Sequence, residues 1–519
     1  MMTKIELVLL PEQATDEQIH KQTASRELSI PEQEITFVKI LKRSIDARSR
    51  QVKIRILVEV YYNEPPPEFF SPKVEYQNIS DKRSVIIIGA GPTGLFAALR
   101  FIELGIKPII LERGKDVQSR RRDLAAINKD HIVNPDSNYC FGEGGAGTYS
   151  DGKLYTRSTK RGDVNKILNT LVAHGANENI LIDTHPHIGT NKLPKLIATI
   201  RESILNAGGE IHFNTRVADV VIKEEKIRSV ITQNNDVIES NAVVLATGHS
   251  ARDIFELLHK KNILIEAKPF ALGVRVEHPQ SLIDSIQYHC EKRSEYLPAA
   301  AYNMAQQVDN RGVYSFCMCP GGFIVPSATA PGEVVVNGMS PSRRDSKFAN
   351  SGIVVAVEME DLKNYQQYGA LATLRFQQDM EKMAFVAGGK KQTAPAQRMI
   401  DFVNGKLSND LPETSYQPGT ESAPLHELLP KFISNRLQQG FKLFGKKMPG
   451  YFTNEAILFG VESRTSSPVR IPRDKESLQH PQIKNLFPCG EGAGYAGGIV
   501  SAAMDGERVA EKCAELILK

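Results

Sequence analysis

Ser84-Val-Ile-Ile-Ile-Gly89-Ala-Gly91-Pro92-Thr93-Gly94-Leu-Phe-Ala-Ala-Leu is the stretch that decides the fold. Its β-branched run predicts a short buried strand, the glycines a tight turn, and the residues after Gly94 a helix. Lys107-Pro-Ile-Ile-Leu-Glu112-Arg113 then predicts a second buried strand ending in an acid, 18 residues past Gly94. Strand, GxGxxG turn, helix, strand and acid in this register form the βαβ pattern that binds a dinucleotide. Gly89 permits the turn, Gly91 lets backbone N–H groups approach a pyrophosphate, and Gly94 lets the helix pack on the strand. Pro92 and Thr93 open that helix, whose positive end favours phosphate. Glu112, followed by Arg113, is placed to accept a hydrogen bond from a ribose hydroxyl.

The 519 residues suggest about three domains. Hydrophobic content of 41% and charged content of 24% are those of a soluble globular protein. A net charge of +4 is too small to imply a polyanionic partner. The run Ile5-Glu-Leu-Val-Leu-Leu10 is too short and too interrupted for a signal peptide or a span, and nothing else reads as a span. Six cysteines are sparse for this length, so the expectation is a reducing, cytoplasmic setting rather than a disulfide framework.

Working outward, residues 1–70 read as a small α+β unit. It has strands over 4–10, 35–41 and 52–60, a helix over 16–23, and a hairpin connection at 44–50. Val52, Ile54, Ile56, Val58 and Val60 alternate with mostly polar neighbours, the period of a half-buried strand. Asn63-Glu-Pro-Pro-Pro-Glu68 follows as a stiff linker. Beyond the βαβ unit, residues 158–207 read as largely helical, 210–217 and 220–232 as strands, and 242–248 as a buried strand ending in Ala246-Thr247-Gly248. Residues 269–345 read as mostly short strands, 366–386 as a helix and 398–447 as helix and loop. A last strand at 485–490 enters a turn before a helix over 499–518. The expected division is 1–70, a discontinuous dinucleotide-binding unit of 76–270 with 445–519, and an insert at 271–444.

Two further glycine-rich blocks carry chemistry. Cys489-Gly490-Glu491-Gly492-Ala-Gly494-Tyr-Ala-Gly497-Gly498-Ile499 precedes an alanine-rich helix, another place where backbone and a helix N-terminus meet a ligand. Phe141-Gly-Glu-Gly-Gly145-Ala-Gly147-Thr148-Tyr-Ser-Asp-Gly-Lys153 offers glycines and hydroxyls. Residues 147–153 and 440–446 half-match a phosphate-binding P-loop, but Leu154 and Lys447 stand where Ser or Thr must hold magnesium.

Together these blocks resemble a two-dinucleotide-binding-domain flavoprotein. More narrowly, the chain is similar to the bacterial FAD-dependent dehydrogenase (NAD(P)/FAD-dependent oxidoreductase) family. Phe316-Cys-Met-Cys-Pro-Gly-Gly322, Asn337-Gly-Met-Ser340 and Val461-Glu-Ser-Arg-Thr465 carry the likeness through the rest of the chain. The resemblance implies an α/β fold of glutathione-reductase-like topology, its Rossmann-like FAD-binding domain interrupted by a mainly-β α+β substrate domain. Gly89, Gly91, Pro92, Thr93, Gly94, Glu112 and Arg113 would hold the ADP half. Gly145, Gly147 and Thr148 belong to the same implied site, Val217 would lie against adenine, and Thr247 and Gly248 would close over the cofactor. In the terminal block Gly490, Glu491 and Gly497 line the cofactor. Glu491, where many relatives carry Asp, would approach the ribityl chain and pyrophosphate. Gly498 and Ile499 would face the flavin edge, where a helix N-terminus raises the flavin potential. NADH or NADPH is the implied transient reductant, visiting the substrate side, because only one full dinucleotide fingerprint (strand, GxGxxG, helix, strand and acid) is present.

The insert supplies candidates for the substrate side: Arg275, Cys317, Cys319, Met339 and Arg343. Cys317-Met-Cys319 reads as two buried side chains before a turn, as a redox pair, or as half of a metal site. No second Cys/His pair at matching spacing is near, so no metal is expected. His185, His187 and His249 read as surface or capping histidines, with contact to cofactor or substrate as the alternative for His249 directly after Ala246-Thr-Gly; Arg120-Arg121-Arg122 reads as a solvated helix face, with attraction of a phosphorylated nicotinamide cofactor as its alternative. The expected activity is FAD-dependent oxidation or reduction of a small organic molecule. The alternative is an RNA-binding flavoprotein, since Lys39, Lys42, Arg43, Arg48, Arg50, Lys53 and Arg55 cluster on the N-terminal hairpin.

Overall fold

The computed structural model describes residues 1–66, 68 and 71–519; Pro67 of the expected linker, with Phe69 and Phe70, lies outside the described residues. Ser84–Ile88 is the central strand of a five-stranded parallel sheet. Lys107–Leu111 and then Glu210–His212 flank it on one side, and Val243–Leu245 and then Leu486–Pro488 on the other. Such strands are covered on both faces, so they read as continuous apolar runs rather than alternating ones. Val85, Ile86, Ile87, Val243 and Val244 are all buried. Every strand points its carboxyl end to the same edge, where ligands of open parallel sheets bind.

Two helices fix that edge. Pro92–Glu103 leaves the glycine turn with Pro92 in its first turn. Ile499–Ile517 crosses it so closely that a Cβ on Gly506 would stand 2.3 Å from the Thr93 carbonyl oxygen. Gly89 adopts φ +107°, and a Cβ there would lie 2.5 Å from the Ala246 carbonyl oxygen, so the turn admits only glycine.

A second, seven-stranded sheet is mostly antiparallel. Its order is Ala305–Val308, Arg311–Cys319, Phe348–Val357, Phe270–Pro279, Ile457–Glu462, Ala394–Arg398, Thr420–Ser422. The expected return to the parallel-sheet unit at residue 445 therefore comes later. Ile457–Glu462 pairs with Phe270–Pro279 and with Ala394–Arg398 in this sheet, and the chain regains the parallel sheet only at Leu486.

Residues 1–62 form a three-stranded antiparallel sheet with Lys53–Tyr62 in the middle and the helix Glu17–Leu28 packed on it. Val52, Ile54, Ile56, Val58 and Val60 all face the core. The hairpin is tighter than expected, since the strand Ile35–Asp46 runs on through residues 44–46. Several of its basic side chains are paired: Arg43 with Asp183, Arg48 with Asp46, and Arg55 with Glu6 and Asp46.

Other expectations need revision. Residues 158–207 hold two α-helices, Val164–Ala173 and Leu193–Asn206, because Gly175 at φ +100° stops the first. The expected strand over 210–217 is broken at Asn214, φ +53°, into Glu210–His212 and Val217–Lys223. Gln280–Tyr288 is a helix inside the region read as strands. No helix among the described residues is long and apolar enough to cross a membrane.

Candidate functional site

Four turns converge because four adjacent parallel strands end at one edge: Gly89–Gly91, Glu112–Arg113, Ala246–Gly248 and the block after Pro488. They surround a cavity of about 390 Å³. Of the residues expected at a cofactor, Gly89, Gly91, Pro92, Thr93, Glu112, Arg113, Gly145, Gly147, Val217, Thr247, Gly248, Glu491, Gly497, Gly498 and Ile499 line it. Three do not. Gly94 sits behind the turn, where a Cβ would stand 2.0 Å from the Gly89 carbonyl oxygen. The Thr148 hydroxyl donates to the Glu143 carbonyl (2.8 Å), and Gly490 donates its N–H to Asp505 (2.8 Å).

The donor set fits an elongated dinucleotide. Helix Pro92–Glu103 is capped by Gly91 and helix Ile499–Ile517 by Gly498, neither with a side-chain cap, so the first-turn N–H groups of both are left for a ligand. A Cβ on Gly248, Gly497 or Gly498 would meet no protein atom within 4 Å, so bare backbone faces open space there. Glu112 is buried and ties the wall together. One oxygen accepts from Ala90 N (2.8 Å), and the other from Gly114 N and Gly142 N (2.9 Å each). Arg113 spans Asp136 and Asp253 at 2.7 and 2.8 Å and lies over the Phe141 ring.

Arg120 corrects the reading of a solvated arginine run. It is wholly buried and donates to the carbonyls of Asn138, Glu143 and Gly145, pinning the glycine block; Arg121 and Arg122 alone face solvent.

His249, read as a surface or capping histidine with cofactor or substrate contact as the alternative, lines the cavity. Its Nδ1 meets the Ser250 hydroxyl at 2.7 Å, which accepts from Arg464 Nη1 at 2.7 Å. Burial, then the Arg464 charge, pushes His249 down to about 4, so the imidazole is neutral at pH 7. Arg464 also grips Glu381 with two nitrogens (2.8 and 2.9 Å), and Arg252 joins Glu381 to Glu333. Glu491 is raised to about 7 by burial, opposed by Lys268.

On the opposite wall stand Asp151, Lys153, Phe316, Cys317 and Asn337. Asp151 pairs with Arg344 at 2.6 Å, and Lys153 donates to the Met318 carbonyl. Of the residues expected at the substrate side, only Cys317 reaches the cavity. Arg275 is fully buried against Glu462 and Asn350, both at 2.8 Å, and Cys319 lies behind the wall. Met339 and Arg343 are not among the lining residues. Lys153 and Arg464 escaped the sequence reading, although each lies in a quoted motif. A long cation beside glycines or before Thr465 has no local signature of burial.

Residues 269–465 match the family model described as FAD-dependent protein, C-terminal domain-like. Residues 1–61 match one described as a domain of unknown function. The chain is 40% identical over 509 residues to a Clostridium beijerinckii protein described as "Uncharacterized protein", covering 94% of each chain. It is 24% identical over 191 residues to thiamine thiazole synthase of Methanococcus vannielii, covering 35% of this chain and 61% of the synthase. Among solved structures it is similar to the flavin-dependent brominase Bmp2 (13% identity, TM-score 0.37, covering 84% of this chain and 79% of that one). It is also similar to glycine oxidase from Bacillus cereus (12% identity, TM-score 0.32, covering 83% and 94%).

Proposed function

The chain belongs to a family of FAD-dependent proteins, its residues 269–465 matching that family's model, and we propose that its cavity holds FAD along the parallel-sheet edge and works on a small organic molecule at the Cys317 wall. The observation that carries this reading is the pair of helix N-termini, Pro92 and Ile499, that open without side-chain caps onto one cavity. A nicotinamide site needs one such terminus for its pyrophosphate; an FAD site uses a second where the isoalloxazine carries negative charge. Glu112 and Val217 border the adenosine end, the Gly91–Thr93 turn the pyrophosphate, and Gly497–Ile499 the ring system. When bound, the flavin supplies two-electron transfer.

The protein's own part is to position and to exclude water. His249, neutral and braced through Ser250 by Arg464, offers a fixed hydrogen-bonding edge to whatever lies in the cavity. The domain reading becomes residues 1–70, a parallel-sheet unit interrupted after 268, and an insert that runs to about 465. NADH or NADPH is the proposed electron donor, visiting the substrate side because only the turn at 89–94 carries the helix, second strand and acid of a full dinucleotide fingerprint. Stripped protein titrated with FAD should regain a flavin spectrum at one equivalent. Anaerobic bleaching by NADH against NADPH then identifies the donor. Protein that takes up no FAD sinks the proposal, and FAD-loaded protein bleached by neither nucleotide sinks the donor assignment alone.

A further inference from the structure

Cys317 does not sit on a regular strand. Arg311–Cys319 pairs Phe316 with Gly352 and Cys319 with Asn350, so Cys317 and Met318 together oppose Ser351 in a bulge. Cys317 takes the left-handed φ of +46°, which is unfavourable for a residue with a Cβ and persists only where the surroundings impose it. They do so here: Arg275 Nη2 donates to the Cys317 carbonyl (2.8 Å), and Lys153 to the Met318 carbonyl. The bulge leaves Cys317 half-buried on the cavity wall and Cys319 buried behind it. The buried thiol is turned back on its neighbour, its Sγ 3.3 Å from the Cys317 carbonyl oxygen.

This geometry sets the two side chains against each other, each the other's hydrogen-bond partner. In an unbroken strand Cα atoms two residues apart stand about 6.7 Å apart, at the far limit of the roughly 4.4–6.8 Å that a disulfide spans. A left-handed residue in a bulge folds the chain back and shortens that span. The two thiols are also unlike. The hydrogen bond from Cys319, then the charges of Lys153 and Arg275, hold Cys317 below the ordinary thiol value against burial and Asp151, while the bond to Cys317 and burial raise Cys319. Glu462 and Glu491 also stand within electrostatic reach of Cys317. An accessible thiolate backed by a buried protonated thiol is the division of labour of an attacking and a resolving cysteine.

We propose that Cys317 and Cys319 form a dithiol–disulfide couple that reduces a low-mass disulfide entering the cavity. The Cys317 thiolate attacks one sulfur of the disulfide; a Cys317–S bond forms, and the first half leaves as a thiolate with the electron pair. Cys319 gives its proton to that thiolate and attacks the Cys317 sulfur; the Cys317–Cys319 bond forms, the mixed disulfide's Cys317–S bond breaks, and the second half leaves as a thiolate with the electron pair and takes its proton from water. One external disulfide becomes two thiols, and the protein dithiol is oxidised by two electrons. The step uses only this chain's sulfurs, so it stands or falls apart from the flavin reading.

The test is peptide-resolved mass spectrometry of the full chain, with the cofactor it retains, equilibrated with 2-hydroxyethyl disulfide and its thiol, then quenched with N-ethylmaleimide. The expected product is a 317–319 peptide lighter by two hydrogens that takes up two maleimides again after reduction. Cys319→Ser should hold the probe on Cys317 as a mixed disulfide, and Cys317→Ser should leave Cys319 unreacted. In the wild type, iodoacetamide should label Cys317 about tenfold faster at pH 7 than Cys290. Two free thiols in fully oxidising buffer, a bond from Cys317 to the cavity-lining Cys140, or equal labelling of Cys317 and Cys290 would overturn the proposal.

Discussion

Glu491 concentrates the cavity's electrostatics in one side chain. Its folded value, raised to about 7, means that the carboxyl is largely neutral below pH 7 and charged above it. A pyrophosphate nearby raises it further, so ligand binding and protonation support each other. FAD affinity should fall by up to about tenfold from pH 6 to pH 8, and Glu491→Gln should flatten that dependence. Fluorescence titration of stripped protein across pH reads the slope directly; an affinity that rises with pH would show that the carboxylate, as hydrogen-bond acceptor, is the form that binds. Glu112 behaves differently, since both its oxygens already serve backbone N–H groups. Glu112→Gln replaces an acceptor with an N–H facing an N–H and should cost about 2–4 kcal/mol, visible as a lower urea midpoint even without ligand.

At the scale of elements, the crossing of Pro92–Glu103 by Ile499–Ile517 sets where the two N-termini point. Gly506→Val places a side chain against the Thr93 carbonyl and Ala97, and should destabilise the apoprotein by about 1–3 kcal/mol. Because it moves the Gly498 end, it should lower FAD content more than Tm alone accounts for; equal retention of FAD at matched stability would detach the crossing from the site. These elements were legible in the sequence because their signals are local: β-branched runs, GxGxxG, the acid 18 residues on, the Ala246-Thr-Gly turn. The bulge at Cys317 and the late return of the insert's sheet through Ile457–Glu462 were not. Each is decided by a partner strand about 35 to 185 residues distant in the chain, which periodicity cannot see.

The whole molecule is locked at a buried ionic cluster. Arg464 follows the strand Ile457–Glu462 and Glu381 lies on the helix Ala372–Ala387, whereas Ser250 and Arg252 follow the Ala246–Gly248 turn, and the four meet in direct contact. Thus the parallel-sheet unit and the insert share one set of charges. Arg464→Leu leaves Glu381 with Arg252 and the Ser463 hydroxyl and removes the brace on His249, and should cost about 3–5 kcal/mol. Chemical denaturation checks the size, and the loss should appear as a lower midpoint in a single transition if the two units unfold together; two separated transitions in the wild type would contradict that coupling. The interrupted sheet has a consequence in time as well. Gly89 and Ile499 are 410 residues apart, so at roughly 5–20 residues per second a ribosome takes about 20–80 s to deliver the second wall of the cavity after the first. During that interval the nascent chain carries a glycine turn whose helix has no crossing partner and a sheet with its Val243–Leu245 edge bare. Cofactor capture should therefore be a late event of biosynthesis, after Leu486–Pro488 has joined the sheet and Ile499–Ile517 has closed the cavity.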